Sequence, residues 1–515
     1  MAHIRFSWLL ALILLLMFPL AKAQTIHHTL NVTLLPEQSH IIVVDQIQFP
    51  EGSAKNLSFK LRSSLSVEAK DAGLVMTGES AQGRLRHYRL NRLEQNSTVQ
   101  VTYRGEIFSS QERQLFEMPE SVLSREGVYL DGGSGWIPYF SHQSNITFDL
   151  TVKAPEGWEI ISQGKRQTID KSFRYEMPLP QDDIYLIGGL FKRYQKQFND
   201  IEMEVYLLED NQQLAENYLQ ATAQYLQFYS ELIAPYPYAK FAVVENRWQT
   251  GYGMPSFTLL GSRVLRLPFI LHSSLPHEIL HNWWGNGVYI DFTQGNWSEG
   301  LTAYLSDHLI QEQRGKGRIY RRKALERYAN FAAEEHDFAL SEFRSRHNEA
   351  SQAVGYSKSL MLFHMLRNLS GRETFKQNIK KLWQRYQFQK VNFPDVIRQL
   401  FTGNDLQYHS LMIYLYTDNL LRNSVVGSSS ARHCDCVSSC LCRVLFFAAR
   451  RRCCQYHTLL FPSPYLFVMV VAHLPIEGIN LRRIGKEMIV TSVLSIISSV
   501  EDLYPERSSS EVYAV

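Results

Sequence analysis

The stretch of this chain with the densest chemistry is His277-Glu278-Ile279-Leu280-His281. On an α-helix, residues four apart lie about 40° apart around the axis and one turn up. Two imidazoles at that spacing can reach one divalent cation, and zinc is the ion such donors hold with a coordination position left open. Glu278 projects beside that position, where a carboxylate can take a proton from water whose pKa the metal has lowered. Pro276, just before the motif, suits a helix start. A zinc site needs a third protein ligand. Glu299, in Asn296-Trp297-Ser298-Glu299-Gly300-Leu301, sits just inside a second helical pattern and can supply it from a facing helix. On spacing alone a lone Glu after a tryptophan would be an ordinary surface residue; with the histidine motif upstream it becomes a good candidate, and the cofactor expected is one zinc ion per chain.

The elements that must carry these residues change character along the chain. Leu30, Val32 and Leu34 alternate with Asn31 and Thr33, a turn follows at Pro36-Glu37-Gln38-Ser39, and a second strand is expected from Ile41 to Phe49. Ile146, Phe148, Leu150 and Val152 repeat the alternation, as do Ile201, Met203, Val205 and Leu207. An all-β domain is expected from about 24 to 200. Asp210 can then cap a helix from Gln212 to Ile233, stopped by Pro235, with Leu214, Tyr218, Ala221, Tyr225 and Tyr229 on its buried face. Phe241 to Val244 reads as one more strand, and helical patterns dominate from Ser274 to Leu400.

HEILHNWWGN followed by NWSEGLTAYLSD resembles the zinc-binding signature of the aminopeptidase N family, the gluzincin metallopeptidases. Gly355-Tyr356-Ser357-Lys358 and the residues after it resemble that family's tyrosine helix, and WIPYF and VKAPEGWEIISQGK resemble its first domain. The resemblance covers about residues 28–420. It implies an α+β multidomain fold, with an N-terminal all-β saddle or sandwich followed by a thermolysin-like, mainly α catalytic domain over about 201–425. It implies that His277, His281 and Glu299 bind zinc, that Glu278 is the general base, and that Tyr356 stabilises the oxyanion. A phenol held near a metal is a preorganised donor where charge develops. Asn282 and Asp307 are candidates for orienting the ligands.

Two departures stand out. Seventeen residues separate His281 from Glu299, where the family usually has eighteen; the shortening lies in Val288 to Asn296, a loop that can absorb it. In Thr250-Gly251-Tyr252-Gly253-Met254-Pro255-Ser256, Pro255 stands where the family carries the glutamate that holds a substrate's α-amino group. Proline offers neither charge nor backbone donor. Glu245 is either a replacement or a solvated charge at a strand end.

The function expected is therefore an exported metallopeptidase, aminopeptidase-like, acting on peptides. The alternatives are an endopeptidase or other hydrolase on the same zinc centre, and a peptide-binding scaffold without turnover. A length of 515 residues with 45% hydrophobic and 20% charged residues excludes a disordered chain and a many-spanning membrane protein. The balance of 53 Lys+Arg against 50 Asp+Glu gives no sign of a nucleic-acid partner. Arg5, the apolar run Trp8 to Leu20 and Ala21-Lys22-Ala23 form a cleavable export signal over 1–23, placing the mature protein in the periplasm or outside the cell. An uncleaved membrane anchor is the alternative for that segment. From about Asn423 the composition breaks, and all six cysteines fall between Cys434 and Cys454. The stretch 426–515 is expected to come from a reading-frame shift or misassembled gene end, a disordered tail or a disulfide-bonded knot being the alternatives.

Overall fold

The computed structural model describes residues 25–416 apart from 52, 54–55, 70–72, 92–97, 108–120, 141–144, 248–250 and 333–336. The segment expected to be an export signal and the Cys-rich tail lie outside the described residues.

Apolar residues at every second position build the first sheet. In the strand Ile26–Leu35, Ile26, Leu30, Val32 and Leu34 are buried while Asn31 faces out. It pairs antiparallel with His40–Gln48, Leu30 opposite Asp45, and parallel with Ile146–Lys153, Leu30 opposite Leu150. The expected turn is a 3-10 turn, Pro36–Gln38, closed by Ser39 at φ 52°. Seven strands share this sheet, and two four-stranded sheets complete the β-rich N-terminal part. One polar pair is enclosed on the buried face of the first sheet: His28 Nδ1 and Asp45 Oδ2 lie 2.8 Å apart, each giving the other a partner out of water.

Sheet structure continues past residue 200. Lys192–Phe198, Ile201–Leu207, Lys240–Asn246, Phe257–Gly261 and Gly251–Met254 form a five-stranded sheet in that order. In Ile201–Leu207 the expected alternation gives way to burial from Met203 to Leu207, with Glu204 and Tyr206 included. The cause is its parallel pairing with Lys240–Asn246, a strand buried along its whole length, since parallel strands are covered on both faces. The crossover between them is the helix Gln212–Leu232. Its cap is Asn211, not Asp210: Asn211 Oδ1 accepts from Leu214 N, while Asp210 is taken by the Tyr194 hydroxyl.

Two compact units make up the chain, one running to Tyr289 and including Trp383–Val391, the other holding Ile290–Leu382 and the chain from Asn392 on. The first holds the β-rich N-terminal part, the five-stranded sheet and the helix Ser274–Leu280. The second is mainly helical, its longest helices being Gly317–Ala332, Ser359–Ser370, Asp405–Tyr416 and most of Arg372–Tyr386. Strands first and helices after is the architecture expected. Among the described residues no helix is long and apolar enough to cross a membrane.

Inside the helical unit a group of buried polar rings has a consequence for stability. Tyr304 stacks on His308 at 4.9 Å, its hydroxyl hydrogen-bonds His364 Nδ1 at 3.1 Å, and Arg321 Nη1 donates to His308 Nε2 at 2.9 Å. Burial lowers the pKa of His308 to about 3, Glu312 opposing and Arg321 and Arg367 assisting. Burial, then Arg321 and Arg367, hold His364 well below its ordinary value. The unfolded chain takes up these protons near pH 6.5, whereas folded His308 does so only near 3. The unfolded state thus binds more protons in that window, so stability is full above about pH 6.5 and is lost as pH falls toward 3. Calorimetric Tm is expected to drop between pH 7 and pH 5. His308→Gln keeps an acceptor for Arg321 without a titrating nitrogen and is expected to flatten that drop; an unchanged slope would contradict this account.

Candidate metal centre

The helix Ser274–Leu280 carries Pro276 in its first turn, where the missing N–H leaves no intrahelical bond unmade. His281 closes it, donating its N–H to His277 O at 3.2 Å. The two rings come to 4.9 Å between centroids at 77°, both largely buried. His281 Nδ1 lies 2.9 Å from Trp284 O. A carbonyl only accepts, so Nδ1 carries the proton and Nε2 keeps the lone pair a metal needs.

The residues just after the motif explain why that carbonyl is fixed. Trp283 and Trp284 have no exposed surface; Trp283 Nε1 donates to Ala234 O at 3.1 Å, and Trp284 meets the Trp383 ring at 6.3 Å. Gly287 faces Trp383 so closely that a Cβ there would come within 2.6 Å of its ring. Asn282 is wholly buried and acts as a knot: Oδ1 accepts from Ser256 N at 2.8 Å, and Nδ2 donates to Ile279 O at 2.9 Å. The orienting part read for Asn282 is thus exerted on backbone rather than on an imidazole. Asp307 accepts from Ser306 Oγ at 3.0 Å.

The strand Gly251–Met254 runs against the same helix. A Cβ on Gly253 would lie 2.7 Å from Glu278 Oε2 and 3.0 Å from His281 Cβ, and one on Gly251 would lie 3.4 Å from Glu278 Oε1. Glycine at alternate positions presents bare backbone to the Glu278 carboxylate. Pro255 is buried in the turn after this strand. Glu245 fits neither reading made for it, being 2% exposed and held by Arg266 Nη1 and by Leu208 N at 2.8 Å.

Glu299 lies on Ser298–Ala303. Asn296 seats that helix: its N–H donates to Phe343 O at 2.8 Å, and Oδ1 accepts from Ser298 N at 3.0 Å. The helix widens into a π-segment at Tyr304–His308 before resuming as Leu309–Gln313. A second π-segment, Ala353–Lys358, contains Tyr356. Such one-turn expansions re-aim side chains and recur at functional sites. Tyr356 is half-buried, edge-on to Phe343 at 6.3 Å, and Gly355 has no room for a Cβ against that ring. Lys358 anchors the segment from inside, 3.4 Å from Asp337, which also accepts from Tyr328 OH at 2.6 Å.

His277, His281 and Glu299 each offer a ligand atom, and the three atoms lie within 4.8 Å of one another. Two imidazole nitrogens and one carboxylate oxygen suit a borderline ion such as zinc, with a position left for water or substrate. The spacing of seventeen residues therefore does not keep Glu299 from the histidines. Sequence reasoning missed Trp284 O, the glycine edge, Phe343 and both π-segments. Gly251-Tyr252-Gly253 was the one available signal, since alternate glycines in a strand mark close approach.

A β-rich first part and a mainly helical second part carry a donor set that suits zinc. Residues 270–414 match the Peptidase family M1 domain. It is 22% identical over 303 residues to aminopeptidase 2, mitochondrial, of Saccharomyces cerevisiae, covering 53% of this chain and 30% of that protein. It is 22% identical over 269 residues to the alanine/arginine aminopeptidase of the same yeast, covering 46% and 30%. The chain thus spans about a third of the length of these relatives. The crystal structure of the M1 zinc metallopeptidase from Deinococcus radiodurans superposes with a TM-score of 0.60 at 18% identity, over 78% of this chain and 95% of that one. At that identity the likeness is one of fold. The family resemblance and the β-then-α architecture read from the sequence are both borne out.

Proposed function

We propose that this protein is a zinc-dependent hydrolase of peptide bonds, aminopeptidase-like, holding one zinc ion on His277, His281 and Glu299. The observation that supports the reading most is the gathering of those three donors within 4.8 Å. Zinc bound there supplies Lewis-acid polarisation of the scissile carbonyl and lowers the pKa of water. His281 donates a hydrogen bond from Nδ1–H to Trp284 O and keeps Nε2 for the ion. Glu278 accepts the proton of the attacking water and delivers it to the departing amine nitrogen. Tyr356 donates a hydrogen bond to the oxygen that turns negative.

Cleavage of one peptide with its N-terminus free and acetylated tests the substrate class. Aminopeptidase action predicts turnover of the free form alone. A second reading, an endopeptidase on the same centre, is favoured by buried Pro255 and by the commitment of Glu245 to Arg266. It predicts turnover of both forms. Turnover of neither form by zinc-loaded protein would overturn the peptidase reading.

The same proposal includes export. N-terminal sequencing of protein recovered from outside the cytoplasm is expected to begin at Gln24, after Ala21-Lys22-Ala23. A chain still beginning at Met1 would favour the retained anchor.

A further inference from the structure

Lys240 opens the strand Lys240–Asn246 and is 1% exposed. A buried ammonium persists only where its donors find partners. Here Nζ donates to Ser256 Oγ at 3.1 Å and to Ser256 O at 3.3 Å, and lies over the rings of Phe257 at 5.4 Å and Tyr175 at 5.9 Å. Ser256 is the second residue of the two-residue loop joining Gly251–Met254 to Phe257–Gly261, and its φ is 67°. Proline first and a positive φ second is the pattern of a type II turn, whose second position favours glycine. A serine held in that conformation needs its surroundings to hold it.

Those surroundings form a closed ring. Ser256 N donates to Asn282 Oδ1 at 2.8 Å, the Tyr236 hydroxyl is shared between Asn282 Oδ1 at 3.2 Å and Lys240 O at 2.9 Å, and Lys240 Nζ returns to Ser256. From the ring, Asn282 Nδ2 reaches Ile279 O and Glu278 O on the histidine helix. The turn also begins where Gly253 lies against Glu278.

We propose that Lys240 is a positioning residue for this centre: by pinning Ser256 in its left-handed turn it sets the glycine strand against Glu278. The proposal rests on the zinc-peptidase reading above. A neutral side chain of similar length would fill the space but drop both Nζ bonds, leaving Ser256 held by Asn282 Oδ1 at 2.8 Å and Ala242 N at 3.1 Å, and the small shift this permits would pass along the strand to Gly253. The charges facing the ammonium are Glu204 and Glu202, which hold it protonated, and Arg166 and Arg193, which oppose them. Burial outweighs the carboxylates and brings Lys240 down to about 8. The grip on Ser256 therefore loosens as pH rises through that value.

The test uses zinc- and cobalt-loaded full-length protein as wild type, Lys240→Met, Ser256→Gly and the double variant. Lys240→Met is expected to lower kcat about 10- to 100-fold with KM little changed. Ser256→Gly in that background should restore most of the loss, because glycine adopts the positive φ unaided. The visible spectrum of the cobalt protein is expected to shift with a midpoint near pH 8, the shift being absent in Lys240→Met and reduced in Ser256→Gly. Unchanged kcat and spectrum in Lys240→Met, or no recovery in the double variant, would overturn the proposal. If Lys240→Met does not fold, a full-sized spectral shift in Ser256→Gly overturns it instead. Wild-type protein that turns over no peptide sinks the peptidase reading, and the cobalt spectra then decide the part of Lys240 alone.

Discussion

Zinc-loaded Glu278→Gln is expected to cleave its peptide about 10²- to 10⁴-fold more slowly than the parent, with metal content unchanged. The substitution swaps one carboxylate oxygen for an amide nitrogen of the same size, so the fit against Gly251 and Gly253 is kept. His277, His281 and Glu299 are untouched, and all three donors stay within 4.8 Å. What the amide lacks is a basic oxygen to take the proton from water. The loss should fall on kcat, read by single-turnover kinetics alongside metal analysis of the same sample. A rate within a few-fold of the parent would remove Glu278 from the base's role. Loss of metal together with rate would mean that the residue supports the ion rather than the chemistry.

The chemistry was more legible in this sequence than the scaffold that aims it. His277, Glu278 and His281 declare themselves because a helix fixes the angle between positions i and i+4, so local spacing is already geometry. Glu299 is recoverable because NWSEG occurs once downstream, and the strands before residue 200 because alternation states both element and buried face. The misreadings share a cause: a partner distant in sequence decides. Asp210 loses the cap to Asn211 because Tyr194 claims its carboxylate. Glu204 is buried because Arg193 meets it and a parallel strand covers it. Glu245 is neither amine anchor nor surface charge because Arg266 approaches it from a later helix. The π-segments Tyr304–His308 and Ala353–Lys358 have no period of their own for a sequence to display.

The close approach of the glycine strand to Glu278 makes Gly253→Ala the second large effect expected. The new methyl carbon would stand 2.7 Å from Glu278 Oε2, 3.0 Å from His281 Cβ and 3.2 Å from His281 Cδ2. His281 cannot yield, because its backbone closes the helix and its ring is tied to Trp284 O. The strand cannot easily yield, because Asn286 Nδ2 holds Gly253 O at 3.1 Å and Asn282 holds the turn behind it. The party best able to move is the end of the Glu278 side chain, so the carboxylate is expected to swing out of place, removing the proposed base without mutating it. A displacement of about 1 Å at a reacting group can cost on the order of 10²-fold in rate, and that fall in kcat is the result expected. Gly251→Ala supplies the comparison on the same strand: its methyl would sit at an ordinary 3.4 Å from Glu278 Oε1, so activity should stay within a few-fold of the parent. Equal losses in the two variants would mean that the strand tolerates alanine nowhere and that the carboxylate contact is not the cause. A large loss at 253 alone, with circular dichroism and metal content unchanged, would tie catalysis to the space one hydrogen atom leaves beside Glu278.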